Sequence, residues 1–65
     1  MVEQIEYRLR ILWSQGSKTH AIVINPEAER EIFTEGELPK NTSLEEKFGL
    51  PVILSKEVKD FLIAI

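Results

Sequence analysis

A chain of 65 residues without a single cysteine must be held together by one small apolar core, or by that core and a partner. Folded units of this size bury only about 60% of the surface their unfolded chains expose. A second core would have nothing left to fill it, so residues 1–65 read as a single small domain. Such a core rarely supplies more than about 3–5 kcal/mol, and small proteins commonly add disulfides, a metal or another subunit. The missing cysteines remove disulfides and thiolate metal sites together. Self-association is therefore the expected extra source of stability, and a cytoplasmic setting the expected location. The opening MVEQIEYRLR interleaves charges with apolar residues, unlike a secretory leader, and no apolar run approaches the ~20 residues of a membrane span. Without a leader, Asn41-Thr42-Ser43 reads as a polar helix entry rather than a glycosylation site.

From Ile5 to Trp13 the odd positions Ile5, Tyr7, Leu9, Ile11 and Trp13 are apolar, while Glu6, Arg8, Arg10 and Ser14 are polar. A period of two predicts a strand with one buried face. With Gly16-Ser17 as a tight turn, it predicts an N-terminal antiparallel hairpin over about 4–14 and 19–25. Trp13 then faces His20, Ile11 faces Ile22 and Leu9 faces Ile24. Arg8 and Arg10 share the second face with Leu12, Ala21, Val23 and Asn25. The apolar cluster Leu12, Ala21 and Val23 would be bare in a two-layer monomer.

Beyond the hairpin the signals are local. Asn25 as cap, Pro26 at the first helical position, early acidic residues and Gly36 as a stop predict a helix over 26–35, in preference to a strand. ELPKNT is loop. Ser43 and Glu46 have the spacing of a capping box and Gly49 ends a short helix. LPVIL predicts a short strand near 51–54. At the end, Val58, Phe61, Leu62 and Ile65 fall on one helical face, with Ser55 as cap. FLIAI suits an edge strand equally well. The fold class is α+β, with a hairpin, one to three short helices and a short strand.

Formal net charge is −3, and the acidity is concentrated in residues 25–46, where seven glutamates meet Arg30 and Lys40. This balance weighs against strong binding to phosphate backbones. Glu27, Glu29, Glu31, Glu35 and Glu37 form an acidic run that reads first as a solvated face and second as a surface for a basic partner. Signs of catalysis are missing. His20 is the only histidine and has no implied orienting acid beside Ser17, the glutamates lack the spacing of a calcium loop, and isolated glycines make no phosphate cradle. No cofactor and no metal are expected.

The reading these residues favour is a non-enzymatic protein-binding module or regulatory subunit, of the kind a phage or host regulator with an acidic face would be. It would act by self-association, through Leu12, Ala21, Val23, Phe61, Leu62, Ile63 and Ile65, or by binding a larger protein. The alternative is a nucleic-acid-binding dimer using Arg8, Arg10 and Lys18 with the C-terminal lysines. A minimal enzyme stands third.

Overall fold

Residues 2–14 carry glutamate, glutamine, arginine and leucine with no glycine or proline, and their apolar residues also satisfy a helical period. In the computed structural model, which describes residues 1–65, they form α1 (Val2–Ser14), not the first strand of a hairpin. Val2, Ile5 and Leu9 turn into the core and Leu12 follows them half-buried, whereas Tyr7 and Trp13 leave 65% and 52% of their surface in water. The alternation of apolar residues was thus shared between two helix faces. Gly16 does not turn a hairpin either. With φ of 78° it sits just past the helix end, where its amide donates to the Trp13 carbonyl (3.0 Å) and the Ser17 amide donates to the Leu12 carbonyl (2.9 Å). A glycine at positive φ serves a helix stop and a hairpin turn equally, and only the flanking segments decide which. Trp13 and His20 are accordingly not cross-strand partners in the core. His20 is exposed, and the Trp13 indole donates to Thr19 Oγ1 at 3.0 Å.

The next elements follow their local signals. β1 (Ala21–Ile24) runs directly into α2 (Pro26–Thr34). Asn25 caps α2 by accepting from the Glu27 amide at 2.8 Å, Pro26 holds the first helical position, and Gly36 closes the helix with the same double bond pattern seen at Gly16. α3 (Leu44–Phe48) is capped by Ser43, whose Oγ accepts from the Glu46 amide at 3.2 Å, and ends at Gly49 with φ of 71°. β2 (Val52–Leu54) then pairs parallel to β1, with Ile22 opposite Val52 and Ile24 opposite Leu54. A parallel pair needs a long crossover, which α2 and α3 provide.

Residues 55–60 form a turn, not the start of a helix. Ser55 Oγ accepts from the Glu57 amide, and the segment passes around the end of β1, where Asn25 donates its backbone amide to Asp60 (2.8 Å) and its side-chain Nδ2 to Val58 (3.0 Å). This wrap delivers β3 (Phe61–Ala64) to the other side of β1, antiparallel to it, so the sheet order is β2-β1-β3. Of the two readings of FLIAI, the strand is the one adopted.

The core lies on one face of this sheet. Ile22 and Ile24 from β1, Val2, Ile5 and Leu9 from α1, Ala28 and Ile32 from α2, Leu38, and Leu44 from α3 form one cluster, with Val52, Phe61 and Ile63 packed against it. All three helices therefore cover the Ile22/Ile24 side. The result is a two-layer α+β fold whose second sheet face has no covering element.

Candidate functional site

Strand alternation decides what the open face carries. Side chains flanking Ile22 and Ile24 along β1 point away from the core, and cross-strand neighbours share a face. Ala21 and Val23 therefore stand with Ile53 of β2 and with Leu62 and Ala64 of β3, through the pairs Val23 to Ile53, Val23 to Leu62 and Ala21 to Ala64. Ile53 and Leu62 are 51% and 46% exposed. Every residue on this face is apolar. Flanked by a strand on each side, Val23 is only half-buried and Ala21 is buried.

A second surface of mixed character adjoins the first, with Gln4, Arg8 and Asp60 among its apolar side chains. Between α1 and the outer edge of β3 runs an open groove of about 630 Å³, with Tyr7, Ile11 and Leu12 on one wall and Phe61, Ile63 and Ile65 on the other. Leu62 belongs to both surfaces. Of the residues expected to mediate self-association, Ala21, Val23 and Leu62 meet on the sheet face, while Leu12, Phe61, Leu62, Ile63 and Ile65 meet at the groove. Ile53, Tyr7 and Ile11 join these surfaces without being among the residues that the sequence marks for association. Ile53 was legible in principle, because Val52, Ile53 and Leu54 are apolar at successive positions and a strand must turn one of them away from its neighbours.

The charged candidates scatter. Arg8 and Arg10 were expected on one strand face, but two positions along a helix are ~200° apart around its axis. Arg8 lines the groove beside β3, and Arg10 lies on the other side of α1 near Trp13 and Lys47. Lys18 sits in the loop before β1, and Lys56 and Lys59 in the 55–60 turn. Glu27, Glu31 and Glu35 line one exposed side of α2 at intervals of four, and Glu29 lies near Phe33, Lys40 and Thr42. Glu6 is engaged with Lys47 at 3.1 Å, which ties α1 to α3.

Glu37 has a structural task. Its Oε1 accepts from the Met1 ammonium at 2.9 Å and from the Val2 amide at 3.0 Å, so it caps the first turn of α1, which has no side-chain cap of its own. The hydrogen bond from the ammonium, followed by that from Val2, holds the carboxyl below its ordinary value of 4.5. A lowered folded-state value means that this contribution is present above the ordinary carboxylate range and fades as pH falls through the depressed value. Glu37→Gln is expected to lose roughly 0.5–1 kcal/mol at neutral pH, allowing for water screening at a partly exposed site, and to abolish that part of the acid dependence. Thermal melts of both proteins on either side of pH 4.5 check it: the difference should shrink in acid.

No group of three or more histidine, aspartate or glutamate side chains converges as a metal site, and no buried side-chain polar atom lacks a hydrogen-bond partner. No helix is long and apolar enough to cross a membrane. No protein-family model, curated protein or solved structure matches the chain.

Proposed function

We propose that this protein is a non-enzymatic binding module that acts by associating with itself and with a larger protein through its uncovered sheet. The observation that carries this reading is the open face itself, where Val23, Ile53, Leu62 and Ala64 form an apolar surface across all three strands, with the buried Ala21 beneath it. Ile53 and Leu62, 51% and 46% exposed, carry most of that surface, and an apolar sheet face left without a covering layer is a candidate interaction surface.

The separation of Arg8 from Arg10 favours this reading over a basic ribbon that tracks nucleic acid. A regulatory role belongs to the same proposal, with the acidic side of α2 setting the charge of the partner's rim.

Val23→Glu with Leu62→Glu tests the reading. Both side chains lie outside the core cluster, so circular dichroism should report the same fold. Glutamates on the open face should reduce self-association in sedimentation velocity, and should eliminate proteins that an immobilised wild-type bait retains. Identical sedimentation and identical retained proteins for variant and wild type would contradict the proposal.

A further inference from the structure

We infer that the groove between α1 and β3 is the site where a second copy of this chain adds its own β3, antiparallel, so that two three-stranded sheets become one of six strands. This rests on the reading of the protein as a binding module and names its first partner. Backbone phase carries the inference. The Asn25 amide bonds to Asp60, which sets the alternation along β3 so that Leu62 and Ala64 bond inward to β1. The amides and carbonyls of Phe61 and Ile63 are then turned outward along the free edge. Unpaired edges are templates for another strand, and proteins usually guard them with charge, proline or brevity. β2 is guarded in this way: it has three residues and follows Pro51. β3 is not, since Phe61 to Ile65 contains neither a charge nor a proline.

Antiparallel addition of identical strands is self-complementary about a two-fold axis. The register centred on Leu62 places Phe61 beside Ile63 of the second copy in hydrogen-bonded pairs, and brings the two Leu62 side chains together on the open face. An aromatic residue against a β-branched one is a favourable cross-strand pair. The groove wall formed by Tyr7, Arg8, Ile11 and Leu12 then meets the same wall of the second copy across the axis. Tyr7, Leu62 and Ile65 leave 65%, 46% and 69% of their surface exposed. At ~200 Å² for a large side chain they alone offer roughly 350 Å² per copy. With Ile11, Phe61, Ile63 and the strand backbone, the pair approaches the ~1,200 Å² at which specific interfaces become stable. The open face would be doubled in width with Leu62 at its centre, leaving it available to a larger partner.

The absence of cysteine makes the test direct. Leu62→Cys should cross-link under mild oxidation into a disulfide dimer, while Ile53→Cys, on the opposite edge of the same face, should not. In the wild-type chain, amide exchange at Phe61 and Ile63 should slow by on the order of tenfold or more between dilute and concentrated protein, with Leu62 and Ala64 protected throughout. Cross-linking of Ile53→Cys with unchanged exchange at Phe61 and Ile63 would mean that two open faces stack instead, overturning the edge pairing while leaving the binding-module reading standing. A species that stays monomeric, with both amides exchanging freely at every concentration, would also overturn it. The binding-module reading would then rest on the larger partner alone, as judged by the Val23→Glu/Leu62→Glu comparison.

Discussion

Ile5→Ala is expected to leave little folded protein, whereas Ile11→Ala is expected to remain folded. Ile5 has none of its surface exposed and sits in the cluster where α1 meets Ile22 and Ile24. Truncating a fully buried isoleucine costs ~2–5 kcal/mol through lost transfer energy and the cavity left behind. A core of this size supplies about 3–5 kcal/mol, so the loss is comparable with the whole. Ile11 lies on the groove wall and is only half-buried, so its truncation should cost on the order of 1 kcal/mol. The two residues are equivalent in a strand of period two and different on a helix. Urea denaturation followed by circular dichroism, at a concentration low enough to keep the chain dissociated, separates the cases, and equal losses at the two positions would contradict the placement of α1.

Asn25→Ala should be the most damaging change of a polar residue. One side chain performs two tasks: Oδ1 accepts from the Glu27 amide at the start of α2, and Nδ2 donates to the Val58 carbonyl in the segment that carries the chain from β2 to β3. Loss of the cap costs about 1 kcal/mol and loss of the second bond about as much, so roughly 2 kcal/mol disappears. Asn25→Asp divides the two. Aspartate caps a helix well but cannot donate to a carbonyl, so it should retain α2 and loosen the 55–60 turn. In amide exchange, the expected result is faster opening of β3 with α2 little changed. An aspartate variant as stable as the parent would show that the Val58 bond contributes nothing.

What could be read from the sequence divides according to how local its cause is. α2, α3 and β2 were legible because each carries its own punctuation: Asn25-Pro26 and Gly36, Ser43 and Gly49, then Pro51 and Ser55 around an apolar run. α1 was misread because Ile5, Tyr7, Leu9, Ile11 and Trp13 alternate by coincidence, and because Gly16 suits both a turn and a helix stop. Val2 and Leu12 were the residues that could have decided it. With Ile5 and Leu9 they complete a helical spacing, while the strand reading left Leu12 stranded among the arginines. β3 could not be fixed locally, since its partner β1 lies about forty residues earlier and the apolar FLIAI satisfies either period. The open sheet face depends on the same long-range pairing. Val23 and Leu62 become neighbours only because the 55–60 turn wraps the end of β1. The sequence marks Val23 for association on the premise of a hairpin face that does not form, and Leu62 on the apolar character of FLIAI, which does become a strand.

A bare apolar sheet and an unguarded edge strand together give this small chain its proposed role, and its mass in solution bears on that role most directly. In sedimentation equilibrium over a concentration series, edge pairing of two copies predicts a mass that rises from 7.5 kDa toward twice that value, and a Leu62→Glu variant that stays at 7.5 kDa with the same fold. A wild-type chain that holds at 7.5 kDa up to high micromolar concentration, indistinguishable from the variant, would contradict self-association through this sheet.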